Sequence, residues 1–469
     1  MCAQKINLLK KLWDASLEAL SGKETDFTAT SIRRAIFLLA IPMILEMMME
    51  SIFALVDIAY VSQVSVNAVA TIGLTESVIT LVYAFAIGLS MAATAVVARR
   101  IGEKDIKAAG QAAVQAIFLG VALAVFLGIL GFLFAEEVLQ LMGAEKDLIL
   151  EGHGYTQLMF GGNITIVLLF LINAIFRGAG DASMAMWTLV LSNVLNIILD
   201  PIFIFGWGPV PEYGVMGAAI ATNIGRGTAV VFQLCILFFG WSRIKIGWND
   251  LVIRLGVMWN LIKVSSGGIA QFLIGTSSWV FLMRLMSEFG SEALAGYTIA
   301  IRVILFTLMP SWGMSNAAAT LVGQNLGANQ PERAEISVWK TGKYNAYFMV
   351  TVSLAYLFFA NEIITWFNSN PMVVENGSLC LQILACGYMF YAYGMVLTQA
   401  FNGAGDTGTP TKINLIAFWL FQLPLAYFAS MTLGLGPIGI FVAITLAEVL
   451  LAVISIVWFK KGNWKKVMV

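Results

Sequence analysis

The chain predicts an all-α membrane protein of twelve transmembrane helices, arranged as two homologous six-helix lobes related by a pseudo-twofold axis along the membrane normal. Three observations predict it: a succession of apolar blocks long enough to cross a bilayer, an uneven sorting of Lys and Arg between alternate connections, and a self-similarity at an offset of 225 residues.

Of the 469 residues, 59% are hydrophobic and 12% charged, against roughly a quarter charged in an ordinary soluble domain. The mean hydropathy of +0.85 comes from many blocks, each with the ~20 apolar residues that span the hydrocarbon layer. Blocks lie at 32–60, 72–98, 110–135, 152–176, 183–206 and 214–240, then at 259–286, 297–321, 337–359, 373–400, 411–431 and 436–459. The connections are rich in Gly, Asn and Pro, as helix ends require.

Ahead of the first block, Ile6, Leu9, Trp13, Leu17 and Leu20 share one helical face while Lys5, Lys10, Lys11, Asp14 and Glu18 line the rest. Such a stretch suits a helix lying on headgroups better than a cleavable leader, which needs a basic head and then an apolar run. The expected organisation is an interfacial segment at 1–31, an amino-terminal lobe at 32–241, a cytoplasmic linker at 242–258, a carboxy-terminal lobe at 259–460 and a tail at 461–469.

Positive residues accumulate in cytoplasmic segments. Arg33 and Arg34, the loop with Arg99, Arg100, Lys104 and Lys107, the linker with Arg243, Lys245 and Arg254, and Lys460, Lys461, Lys465 and Lys466 all fall on one side. The opposite loops carry Lys146 among Glu136, Glu137, Glu145, Glu212, Glu288 and Glu362. Both termini are expected in the cytoplasm of a plasma-membrane protein.

At the 225 offset Gly88 falls on Gly313, Ala92 and Ala93 on Ala317 and Ala318, Gly102 on Gly327, and Phe176–Asp181 (FRGAGD) on Phe401–Asp406 (FNGAGD). The frame then slips by a few residues and recovers as Gly217 on Gly439 and Ala221 on Ala443. Six spans per half is even, so the halves share one topology and enclose a central cleft.

Ionisable groups inside spans are the functional suspects, because a charge at the bilayer centre costs at least ~3 kcal/mol. They are Glu46, Glu50, Asp57, Glu76, Asp200, Arg226, Arg284, Arg302 and Glu448. At a rise of ~1.5 Å per residue, Asp57 lies about 35 Å along span 1, Asp200 about 28 Å along span 5, and Thr222 about 12 Å down span 6 from the other side. Asn196 and Asp200 share a face, and Pro201 beside the acid frees a backbone carbonyl. The oxygen-rich cluster of Asp57, Asn196, Asp200 and Thr222 suits H⁺ or Na⁺, and two close carboxylates titrate as a pair. The counterparts of Asp57 and Asp200 are Leu282 and Leu425, those of Glu50 and Glu46 are Gly275 and Gln271, and acid chemistry is expected in the first half alone. Glu46, Met47 and Glu50 are candidates for a substrate cleft, with packing or pairing to an Arg as the alternative for the glutamates. Arg284 and Arg302 read as snorkelling; Arg226 and Glu448 occupy equivalent places in the halves.

Cys2, Cys235, Cys380 and Cys386 form no CxxC pair and read as small buried hydrophobes. No GxxxxGK[ST] or HExxH is present, so neither ATP use nor enzymatic chemistry is expected. The balance of 27 basic against 27 acidic residues gives no sign of a nucleic-acid partner.

Leu39–Ile44 (LAIPMI), Val56–Val61 (VDIAYV), the ARRIGEKD loop, RGAGD and Leu195–Gly206 (LNIILDPIFIFG) together resemble the multidrug and toxic compound extrusion (MATE) family along nearly the whole chain, and its DinF-like branch most. The resemblance implies two lobes around a cleft and export driven by inward H⁺ or Na⁺. It implies a cation site at Asp57, Asn196, Asp200 and Thr222, a span 1 that bends at Pro42, and Pro201 as a second hinge. Another branch uses an acid in span 7, where this chain has Gly275 and Thr276. The expectation is a monomeric, cofactor-free antiporter, embedded in the lipid bilayer, of small amphipathic, often cationic, molecules. The alternatives are a lipid-linked saccharide flippase of the same superfamily, with a cleft ringed by basic residues, or a passive channel or scaffold.

Overall fold

The computed structural model describes residues 14–469, so Ile6, Leu9 and Trp13 of the anticipated interfacial helix lie outside the described residues. Residues 14–20 are helical, with Leu17 exposed. The twelve spans that follow are α1 (Ile32–Val61), α2 (Val66–Gly102), α3 (Ile106–Leu133), α4 (Lys146–Gly161 and Asn163–Ala179), α5 (Ala182–Phe205) and α6 (Val215–Phe239). The second half comprises α7 (Leu255–Met286), α8 (Ser291–Gly327), α9 (Pro331–Thr365), α10 (Pro371–Ala385 and Tyr388–Gly403), α11 (Gly408–Thr432) and α12 (Pro437–Lys460). Ten of these are single helices long and apolar enough to cross a membrane; α4 and α10 reach that length only as helix pairs, bent by 40° and 61°. No strand occurs among the described residues. A helix satisfies its own backbone groups, which is what a chain this apolar needs in lipid.

Local chemistry sets the ends and breaks. Ser65 accepts from the Ala68 amide at the start of α2, and Asp105 from the Ala108 amide at the start of α3, satisfying donors the helix cannot. Pro42 and Pro201 sit inside helices that continue through them. Around Pro424, α11 widens into π-helix at Leu415–Gln422 and Phe428–Thr432, a way to absorb a missing amide. The two GAGD turns both use a left-handed glycine, Gly180 at φ 90° and Gly405 at φ 85°. Their aspartates diverge. Asp406 caps the next helix through the Thr409 amide at 3.2 Å, whereas Asp181 turns to hold Ser242 Oγ at 2.5 Å and the Arg243 amide at 2.8 Å. Cys380 is buried as expected, Cys235 is half-buried, Cys386 is exposed, and all three are free.

The repeat is also a packing scheme between the halves. A Cβ on Gly88 would lie 2.6 Å from the Ile269 amide nitrogen, and one on Gly313 would lie 2.8 Å from that of Ile44, its symmetry counterpart. A Cβ on Gly102 would lie 2.0 Å from the Gln324 carbonyl oxygen, and one on Gly327 2.1 Å from that of Arg99. Gly102 and Gly327 let α2 and α8 meet backbone to backbone about the pseudo-twofold, while Gly88 seats α2 against α7 and Gly313 seats α8 against α1. Polar groups reinforce the crossing: Arg99 donates to the Val467 carbonyl at 2.9 Å and to that of Ala404 at 3.4 Å, while Gln324 donates to the Gly178 carbonyl at 3.0 Å and Thr320 to that of Arg177 at 3.0 Å. These hydrogen bonds between the halves lie toward the basic end, where the lobes close together.

Replacing Gly102 by Val is expected to force α2 from α8 at a cost of about 1–3 kcal/mol to the closed contact. In a chain stripped of native cysteines and carrying Thr320→Cys, thiol labelling should then speed up by about tenfold or more. An unchanged labelling rate would contradict the crossed-glycine seal.

Candidate functional site

Within the first half α1 packs chiefly against α5, with lighter contacts to α2 and α6, and brings its three acids into different company. Glu46 is 2% exposed and accepts from Arg177 Nη1 at 2.5 Å and Asn173 Nδ2 at 3.0 Å, both on α4. Asn173 in turn accepts from Gln233 of α6 at 2.6 Å. One turn along α1, Glu50 pairs with Arg226 of α6 at 3.2 Å. The same guanidinium contacts the Tyr83 hydroxyl at 3.2 Å and lies 4.6 Å over the Phe53 ring, a cation–π arrangement that a desolvated site strengthens. Both glutamates thus have a cationic partner, the reading left open beside that of a cleft.

Asp57 is different. It is buried, and its Oδ1 has no hydrogen-bond partner among the described residues. Across on α5, Asp200 is fully buried; its Oδ1 accepts from Asn196 Nδ2 at 3.0 Å while Oδ2 has no partner. Asn196 Nδ2 also lies 3.4 Å from Thr222 Oγ1 of α6, and Asn196 Oδ1 is unpartnered. Gly225 permits this convergence, since a Cβ there would lie 3.0 Å from the Ser192 carbonyl oxygen. Asp57 and Asp200 lie close enough for their charges to act on each other, and Glu76 and Arg226 are within electrostatic reach of Asp57. Three unsatisfied acceptor oxygens on two helices form a buried, electronegative cluster. Leaving such oxygens unmatched costs several kcal/mol unless a proton or cation joins them.

A cavity of about 310 Å³ between the halves is lined by Met47, Glu50, Tyr83, Arg177, Trp312 and Asn316. Met47 and Glu50 therefore face it, whereas Glu46 sits behind Arg177. Sequence reasoning passed over Arg177, read only as part of a turn, and Tyr83, an aromatic in an apolar span with no distinguishing neighbour. Arg284 is exposed and bridges Glu288 at 2.9 Å, and Arg302 is also exposed, in keeping with snorkelling. No group of His, Cys, Asp and Glu able to hold a metal by itself occurs among the described residues.

Arg177→Met would strand a buried Glu46 charge, at a cost of about 3–5 kcal/mol. Adding Glu46→Gln should recover most of that loss, read as the thermal midpoint of the purified protein in detergent. A double variant no more stable than Arg177→Met would show that the pair is not what holds α1 to α4.

The MatE family model matches residues 42–202 and 269–428, once in each half. A probable multidrug resistance protein NorM of Thermotoga maritima is 28% identical over 443 residues, covering 93% of this chain and 94% of its own length. An FAD transporter of Shewanella oneidensis is 26% identical, covering 90% of this chain and 93% of its own. A solved MOP superfamily transporter from Pyrococcus furiosus, described as having a binding pocket of reverse polarity that suggests a different function, superposes with a TM-score of 0.88 at 25% identity, over 95% of this chain and all of that one. The two matched halves, the twelve-helix fold and the whole-length relatives agree: the chain belongs to the MatE family, a family of multi-pass membrane transporters rather than enzymes.

Proposed function

We propose that this transporter is a multidrug exporter that moves amphipathic organic compounds, often cationic, out through the plasma membrane in exchange for inward H⁺ or Na⁺. The observation that carries this reading is the Asp57, Asn196, Asp200 and Thr222 cluster, whose unpartnered oxygens are buried on α1 and α5 without a neutralising ion pair of their own. Names of relatives such as the Thermotoga maritima protein support the drug-export part. The coupling ion is cargo: it binds the cluster from outside, draws α1 toward α5, and narrows the cavity that Met47 and Glu50 line. Pro42 and Pro201 are where α1 and α5 give. Ion release to the cytoplasm, the side of both termini and of the glycine seal, resets the cycle. No ATP enters, and one chain suffices.

The energetics are adequate. One charge moving down 100 mV supplies ~2.3 kcal/mol, enough for roughly a fifty-fold gradient. The flippase alternative asks for a basic cleft, but Arg177 and Arg226 are neutralised by Glu46 and Glu50, and Arg284 and Arg302 point outward. A passive channel would have no use for the acidic cluster.

In proteoliposomes with separately imposed pH and Na⁺ gradients, ethidium efflux should follow one of the two and fall by about tenfold or more in Asp57→Asn and Asp200→Asn, as loss of a coupling interaction of 1–3 kcal/mol requires. Efflux at the parental rate in both variants would refute the coupling site.

A further inference from the structure

We infer that the carboxy-terminal half holds a second ligand site, a carboxylate-and-aromatic pocket for one organic monocation, anchored by Glu448. This deepens the export reading by naming a substrate class and where it sits.

The sequence places acid chemistry in the first half, and the structure adds one buried acid that lines a cavity of the second. Glu448 stands midway along α12, is 7% exposed, and has neither ion pair nor hydrogen-bond partner among the described residues. It lines a cavity of about 260 Å³ with Gln271, whose Oε1 is buried and unpartnered, and with Trp279, Trp312, Tyr388 and Tyr391. No Lys, Arg or His lines this cavity among the described residues.

Comparison with the other half shows how the charge came to be left over. In the first half Glu46, Glu50 and Arg226 are partnered acids and base. Their repeat counterparts are Gln271, Gly275 and Glu448, so the base Arg226 has become an acid and its one partner acid, Glu50, has become a glycine. Arg226 and Glu448 do not meet; Arg226 is committed to Glu50.

A buried carboxylate without a counter-charge invites one. Aromatic faces attract large, weakly hydrated cations such as quaternary ammonium or phosphonium groups, and the free Gln271 oxygen adds a second acceptor. A small metal ion would find too few oxygens here, and an anion would be repelled. Met91, Met309, Trp312 and Gln399 line both this cavity and the one beside Glu50, so the two adjoin. A bound cation can therefore pass between an acidic, aromatic compartment and a charge-balanced one without leaving the cleft.

The test is equilibrium dialysis of tetraphenylphosphonium, a permanent cation, against the purified full-length protein in detergent, with neutral triphenylphosphine oxide in parallel. Glu448→Gln should weaken tetraphenylphosphonium binding by roughly tenfold to a hundredfold, as loss of a desolvated charge contact does, and leave the neutral compound's affinity unchanged. Glu448→Asp should restore part of the loss. Trp279→Leu should weaken the cation severalfold, which keeps the test alive if Glu448→Gln does not fold. Parental affinity in Glu448→Gln, equal loss for both compounds, or parental affinity in Trp279→Leu would each overturn the site. No gradient is applied, so a failure here is distinct from a failure of ion coupling, which only vesicle transport reads.

Discussion

A carboxylate buried among apolar helices must meet a positive charge, and the organisation of this transporter follows from how each buried acid does so. Glu46 and Glu50 meet theirs inside the protein, on Arg177 and Arg226. Those ion pairs tie α1 to α4 and α6 and leave the nearby cavity close to neutral. Asp57 and Asp200 have no such partner of their own, and the oxygens they present are matched only by Asn196. In the proposed cycle, what separates a structural acid from a coupling acid is the availability of a paired arginine on a neighbouring helix. The distinction is energetic: a fixed arginine neutralises permanently, whereas a proton or Na⁺ neutralises reversibly and can be given up on the other side.

The same α1 that carries these acids is clamped at the basic end by the crossed glycine contacts. Gly313 of α8 sits against Met43 and Ile44 of α1, and Gly88 of α2 against Ile269 of α7. The glycines bring backbone to close approach in both contacts, with the Ile269 side chain also against Gly88, so they can break and re-form as rigid surfaces. An event at Asp57, far along α1, is therefore mechanically connected to the closure between the lobes through a helix that continues through Pro42. Rocking of two rigid bundles about a shared seam is the motion this packing supports.

Much of the fold was legible because its signals are one-dimensional. Block length, charge sorting and the 225-residue offset are properties of the string, and the paired glycines at 88 and 313 and at 102 and 327 turned out to be contacts between halves. The breaks in α4 and α10 were not legible. Hydropathy sums over a window and does not register Gly162, where a Cβ would lie 2.0 Å from Asn223 Oδ1 and where the helix gives way. The convergence of Asn196, Asp200 and Thr222 could be read from depth and face, since two of the three share a helix. Pairings across helices could not, because Arg177 meets Glu46 only through the rotation of α4 against α1. The offset comparison places Glu448 opposite Arg226, but only the structure shows that the acid lines a cavity with no base beside it among the described residues.

In the proposed cycle a single ion cluster in the first half exchanges its ion for substrate moving the other way. The most direct measure of that exchange is ion flux driven by substrate. Vesicles with an imposed ethidium gradient and no other driving force should show an opposed movement of H⁺ or ²²Na⁺ with the parent protein and none with Asp200→Asn. Ion movement at the parental rate in Asp200→Asn, or none in the parent while ethidium still crosses, would contradict it.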